Sequence, residues 1–147
     1  MLDRSKIGHK FNAFSTNVEK GRLKFFAKAI GETNPIYTNE VAALDAGYKT
    51  IPAPPTFSMV LDMETPELMP VLDLLGMDIG RVLHGSQGFE YYETIYAGDT
   101  ITVTSEIKDM FDKKNGLLEF VVMENSYTNQ DGDLVAKANQ TLVYRNA

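Results

Sequence analysis

The chain has 147 residues, 44% of them hydrophobic and 23% charged, with 11 Gly and 6 Pro; these are the proportions of one globular domain and exclude disordered, collagenous and multidomain architectures. It has no Cys, and its two His are His9 and His84, which excludes disulfides, thiolate zinc sites, Cys nucleophiles and multi-histidine metal centres. With 14 Lys and Arg against 20 Asp and Glu the net charge is −6 and the cations are scattered, so nucleic acid is not expected as a partner.

The opening Met1-Leu2-Asp3-Arg4-Ser5-Lys6 lacks the apolar stretch of a signal peptide, and no apolar run reaches the length of a membrane span, so a cytoplasmic chain without a membrane partner is expected. Ile7 to Phe14 is a weak strand candidate, with His9 at the surface. Val18 to Ile30 places Phe25, Phe26, Ala29 and Ile30 opposite Glu19, Lys20, Lys24 and Lys28 and stops at Gly31, the pattern of an amphipathic helix with a left-handed C-cap. Glu32 to Tyr37 is a turn in which Asn34 caps a single helical turn opened by Pro35. A short helix follows, capped by Thr38 or Asn39 and ended by Gly47. Ile51-Pro52-Ala53-Pro54-Pro55-Thr56 is a rigid extended bend feeding a helix from Pro55 to Met63. The last helical stretch, Thr65 to Gly76, is irregular at first because of Pro66 and Pro70. Its Leu68, Met69, Val71, Leu72, Leu74 and Leu75 suit core, an acyl-chain lid or a subunit interface.

After Gly80 the apolar period becomes two. Arg81 to Ile95 is a strand bent or bulged between Gly85 and Gly88. Thr100 to Ile107 alternates, with Ile101, Val103 and Ile107 inward; Leu117 to Thr128 is apolar on both faces and therefore central; Leu134 to Tyr144 closes the run. Turns at Ala97-Gly98-Asp99, Lys113-Lys114-Asn115-Gly116 and Asn129-Gln130-Asp131-Gly132 separate these strands. Small Ala136 and Ala138 leave room for a helix packed closely on that face. Helices followed by an antiparallel meander predict an α+β fold: one curved sheet of about five strands around a helix, as a single domain over residues 1–147.

Phe26-Ala27-x-Ala29-Ile30-Gly31-Glu32-Thr33-Asn34-Pro35-Ile36-Tyr37, then Ala42 and Tyr48, then Leu83-His84-Gly85 and Tyr96-Ala97-Gly98-Asp99-Thr100, resemble the MaoC-like hydratases and dehydratases of hot-dog fold. The likeness spans nearly the whole chain. Ala53-Pro54-Pro55-Thr56-Phe57 resembles the branch found as the first half of double hot-dog dehydratases and as the dehydratase region of fungal fatty acid synthase. The resemblance implies a curved antiparallel sheet wrapped round a long helix with an extra helical lid segment, two such hot dogs side by side, reversible dehydration of a 3-hydroxyacyl thioester of coenzyme A or acyl carrier protein, and no cofactor. It also implies an acid–base pair in a Gly-Asp-x-Asn-Pro-x-His segment and an oxyanion donor from the backbone N–H of a Gly at a helix start.

This sequence departs from that pattern at each working position. Glu32 stands for the aspartate, Tyr37 for the histidine and Pro55 for the glycine, while Asn34-Pro35 is kept. Glu32 is read either as a turn cap or as a pocket carboxylate. A phenol with a pKa of about 10 is a poor proton shuttle beside imidazole near 6.5. Proline has no N–H, although a shift of one residue would offer Thr56 instead.

Glu32 and Tyr37 are therefore the catalytic-position candidates, with Asn34, Thr56, Phe57 and His84 as substrate-binding candidates. Three readings follow: a non-catalytic, substrate-binding subunit in a heterodimer with a catalytic hot dog; a self-sufficient homodimeric hydratase using Glu32 with Tyr37 or His84; or an acyl-thioester binding module without a catalytic partner. Arg22, Lys24 and Lys28 are candidate contacts for the acidic carrier or coenzyme.

Overall fold

A computed structural model describes residues 1–67 and 69–146. Five antiparallel strands, β1 (Phe14–Asn17), β2 (Val82–Tyr91), β3 (Thr100–Lys113), β4 (Leu118–Thr128) and β5 (Leu134–Arg145), form one sheet in the order β1-β3-β4-β5-β2. Around it lie α1 (Lys20–Ala29), α2 (Glu40–Asp45), α3 (Ser58–Asp62) and α4 (Pro70–Leu75). This is the α+β hot-dog architecture. β4 is central, and its inward parity of Glu119, Val121, Met123, Asn125 and Tyr127 is buried throughout.

The helix held by the sheet is short, five residues after a 3-10 turn, and not the long one the resemblance implies. A 3-10 turn, Pro55–Phe57, runs directly into α3, and Phe57 and Leu61 pack against Ala136, Ala138, Val135 and Tyr127. The alanines allow the close approach their size suggested, and burial of two large apolar side chains there contributes several kcal/mol, at about 1.5 to 3 kcal/mol each. α1 closes the same core with Leu23 and Ala27, while Phe25 and Ile30 remain exposed. The remaining half of the sheet carries a second cluster, in which Leu72, Leu75 and Met77 meet Ile107, Met110, Val121, Met123 and Leu142. The stripe on α4 is thus core in this chain. Leu68, which belongs to the same stripe, lies outside the described residues.

Several boundaries differ from the sequence reading, among them β2, which ends at Tyr91 and not Ile95, and α1, which begins at Lys20 and not Val18. The first strand is Phe14–Asn17, not Ile7 to Phe14. Residues 8–11 touch β3 through single bonds, Gly8 N–H to Ile107 O at 2.7 Å and Phe11 N–H to Ser105 O at 2.9 Å, with an isolated bridge from Lys10 to Glu106. The turn at Arg4–Lys6 and the positive φ of Gly8 keep that segment from running straight. α4 begins only at Pro70, because Met69 takes a left-handed conformation with φ 51° and Pro70 fits the first helical position. β3 runs on to Lys113, where Lys114, Asn115 and Gly116 make the hairpin with positive φ.

The bulge expected in β2 falls between His84 and Ser86. A Cβ on Gly85 would stand 2.8 Å from Val143 Cγ2 and 3.1 Å from Thr141 O, so the glycine is required by contact with β5.

Candidate functional site

Backbone bonds to the last residues before β3 pin the proline bend. Ala53 N–H donates to Ile95 O at 2.7 Å, Ala97 N–H donates to Ile51 O at 2.9 Å, and Pro52 bridges Tyr96. Buried Asp99 holds the turn that follows: it accepts the Tyr96 N–H at 2.8 Å and the Gln130 side-chain amide at 3.3 Å, and Lys49 approaches it at 3.6 Å while lying over the Tyr96 ring. These contacts account for the Tyr96-to-Thr100 segment as scaffold.

A cleft of about 280 Å³ opens beside this bend, lined by Tyr37, Tyr48, Pro52 to Pro55, Ser58, Tyr91 to Ile95 and Ala136. Two neighbouring elements deliver its tyrosines. Asn34 Oδ1 accepts the Ile36 N–H at 3.2 Å and caps the 3-10 turn Pro35–Tyr37. Asn39 Oδ1 accepts the Val41 and Ala42 N–H groups and caps α2, after which Tyr48 N–H returns to Ala43 O at 3.0 Å.

The cleft unites only part of the candidate set. Tyr37 is in its wall; burial, then Tyr48 and Glu32, push the phenol further above its ordinary value of 10. Glu32 is outside the wall, and its carboxylate accepts the Asn34 N–H at 2.8 Å, closing the turn. Asn34 is exposed and acts as a cap, and Thr56 is exposed beside Pro55. Phe57 is core, edge-to-face with Phe26 at 5.4 Å. His84 is exposed on β2 and bonded to Gln87 at 3.1 Å. Tyr91 stands seven positions further along the same strand, roughly 20 Å at the rise of a β-strand. Within one protomer the imidazole does not reach Tyr37. Of the candidate docking cations, Arg22 is paired with Glu64 at 2.7 Å.

The residue reading missed a buried polar group beneath α3. Tyr127 donates its hydroxyl to both oxygens of Asp62, at 2.8 and 2.9 Å. Burial pushes the Asp62 carboxyl up to about 6, with hydrogen bonds from Tyr127 and Asn125 offsetting part of the effect. The Tyr127 phenol is driven far up by burial and by Asp62. Ser58 Oγ and Asn125 Oδ1 are buried without a hydrogen-bond partner. The signal was present in the sequence: Asn125 and Tyr127 share the inward parity of β4 with Val121 and Met123, where a polar residue demands a partner.

Comparisons with known proteins agree with this architecture. Residues 5–138 match the family model "FAS1-like, dehydratase domain region". A "UPF0336 protein" of Saccharopolyspora erythraea is 32% identical over 145 residues, covering 98% of this chain and 92% of that one. A "UPF0336 protein" of Streptomyces avermitilis is 33% identical over 147 residues, covering 99% and 97%. Among solved structures, a chain of the truncated HadBC (3R-hydroxyacyl-ACP dehydratase) complex of Mycobacterium tuberculosis superposes with a TM-score of 0.78 at 28% identity, covering 94% of this chain and 96% of that one. A MaoC-like dehydratase superposes at 0.86 with 23% identity; this chain covers 43% of it, less than half its length. The chain belongs to the FAS1-like dehydratase-region family and has the hot-dog fold.

Proposed function

We propose that the chain is the substrate-binding half of a double hot-dog dehydratase acting on (3R)-hydroxyacyl thioesters, with proton transfer performed by a partner hot-dog subunit. The observation that carries this reading is the condition of the turn at residues 32–37. Glu32 is committed to the Asn34 N–H, and the Tyr37 phenol is held above its ordinary value, away from the neutral range in which a proton shuttle works. Pro55 offers no N–H to a thioester oxygen.

What remains is a binding wall. Tyr, Pro and Ala side chains surround a cleft of about 280 Å³, close to the lower end of small-molecule pockets. The HadBC complex, at 28% identity, is a 3R-hydroxyacyl-ACP dehydratase, which supports an acyl thioester of carrier protein or coenzyme A as the ligand and a heterodimer as the working form. Among the described residues no helix is long and apolar enough to cross a membrane. A cytoplasmic acyl-thioester pool is the setting this reading requires.

Hydration of crotonyl coenzyme A by the purified chain tests the assignment. The expected result is no turnover by the chain alone and turnover once a hot-dog subunit with the intact Gly-Asp-x-Asn-Pro-x-His segment is added, undiminished in Glu32→Ala. Turnover by the isolated chain that disappears in Glu32→Ala overturns it in favour of a self-sufficient hydratase.

A further inference from the structure

α1 carries Lys20, Arg22, Lys24 and Lys28, four of the chain's 14 Lys and Arg, and no carboxylate in its ten residues. The cations are therefore not scattered, as the sequence reading has them, but partly gathered on one helix of a chain whose net charge is −6. Lys20 is engaged by Glu40 and Arg22 by Glu64. Among the described residues Lys24 and Lys28 enter no ion pair. They stand four positions apart, so both lie on one face of the helix, and both are exposed.

Phe25 occupies the middle of that face. The helix turns Leu23 and Ala27 into the core, whereas Phe25, which the sequence pattern places on the apolar side with Phe26, is 74% accessible. Gly21 and Ala29, one turn before and one turn after it, are exposed and carry no more than a methyl group, so the ring stands clear of its own helix. An aromatic ring ringed by free cations is the make-up of an interface anchor with a charged rim. The face also adjoins the cleft. The Glu32 N–H donates back to Ala27 O at 2.9 Å, next to Lys28, and the Glu32 carboxylate acts on the Tyr37 phenol in the cleft wall.

We propose that the face of α1 formed by Lys24, Phe25 and Lys28 is the docking surface for an acidic acyl carrier protein, Phe25 anchoring the contact and the two lysines meeting carboxylates of the carrier. This rests on the function proposed above and commits it to carrier-bound substrate. Charge selects the occupant: an acidic protein is repelled by a chain of net charge −6 except where cations stand free. An exposed ring has no part in holding phosphates, so the face fits a protein surface and not coenzyme A. The HadBC chain, at 28% identity, belongs to a dehydratase of carrier-bound substrate.

The test is steady-state turnover by this chain paired with a catalytic hot-dog subunit, given the same crotonyl group on acyl carrier protein and on coenzyme A. The variants are Phe25→Ala and the double change Lys24→Glu with Lys28→Glu, all at exposed positions, with an unchanged urea midpoint as the check on folding. Each should raise KM for the carrier thioester about tenfold and leave kcat and the KM for crotonyl coenzyme A as they are. Added salt should raise the wild-type KM for the carrier thioester and not that of the charge-reversed variant. Lys24→Arg with Lys28→Arg should behave as the wild type. An unchanged KM for the carrier thioester in both variants overturns the proposal. So does an equal rise for the two thioesters, or loss of subunit pairing in Phe25→Ala by light scattering, which would make the face a subunit interface. If Phe25→Ala lowers the urea midpoint, the lysine pair alone decides. Turnover of crotonyl coenzyme A without turnover of the carrier thioester overturns the docking surface and leaves the proposed function standing; a pair inactive on both thioesters overturns that function and the docking surface with it.

Discussion

Asp62 is the carboxylate most altered by the fold, and its pH dependence has a definite sign. Its carboxyl titrates at about 6 in the folded chain against 3.8 ordinarily, because burial disfavours the charge more than the Tyr127 and Asn125 bonds favour it. Below about pH 4 the group is protonated in both folded and unfolded states. Between about pH 4 and 6 the unfolded chain ionises while the folded one retains its proton, so stability contributed by this group falls as pH rises and is lost above 6. The loss amounts to about 2 to 3 kcal/mol. The groups facing it are Tyr127, which stays protonated, Asn125, and Glu67, which lines a small cavity with it. Asp62→Asn keeps an acceptor for the Tyr127 hydroxyl and removes the titration. Urea unfolding of both proteins from pH 4 to 7.5 should therefore show the variant gaining about 2 to 3 kcal/mol on the wild type across that range. A constant difference would mean that Asp62 ionises normally in the fold. This site was legible only in part: Tyr37 and the Asn34 cap follow from local spacing, whereas Asp62 and Tyr127 are 65 positions apart and meet only when α3 is laid on the sheet.

At the scale of elements, the cleft depends on caps more than on core. α2 has six residues, too few to persist on intrinsic propensity, and is held by Asn39 at its start and by the Glu40 carboxylate, which bonds Lys20 Nζ and Thr50 Oγ1, each at 2.8 Å. It positions Tyr48 in the cleft wall. Asn39→Ala should cost about 1 kcal/mol, read as a lower urea midpoint with unchanged slope, and should weaken thioester binding by displacing Tyr48. Unchanged stability would place the hold on α2 elsewhere. The same local chemistry explains which elements the sequence announced. Caps at Asn34 and Asn39, the glycine stops and the hairpin turns are written within a few residues, and each appears where its residues stand. β4 alternates cleanly because one face is buried, whereas β3 shifts register between Ile107 and Asp109 and β5 buries the adjacent Val135 and Ala136 under α3. The misplaced first strand has a different cause: residues 7–14 carry apolar side chains, but pairing with β3 is decided by partner register, and regular pairing begins only at Phe14 opposite Val103. Met69 shows the same limit, since nothing adjacent to it except Pro70 announces a left-handed backbone.

At the scale of the molecule, the two edges of the sheet are unlike. The β1 edge is short, four residues, and the N-terminal segment continues along β3 with bonds from Gly8 and Phe11. The β2 edge is ten residues long, pairs on one side only, and exposes Leu83 and Tyr91, each 53% accessible, with Tyr92 just beyond it. A long, apolar, unprotected edge is a pairing site, and antiparallel addition of a second hot dog would continue the sheet across both chains. Tyr91 and Tyr92 also line the mouth of the cleft, so the same contact would cover the cleft and complete its wall from the partner. Leu83→Lys combined with Tyr91→Lys places two cations on that edge at positions accessible in the single chain. Folding stability should change by no more than about 0.5 kcal/mol per site, because neither side chain is core. Association should be lost: light scattering should report the mass of one chain, 16.4 kDa, where the wild type gives twice that or a heterodimer with the catalytic subunit, and turnover in the reconstituted pair should fall with it. A variant that still pairs would move the interface to another surface, the exposed apolar side chains Phe25, Val41 and Leu44 of α1 and α2 being the next to test.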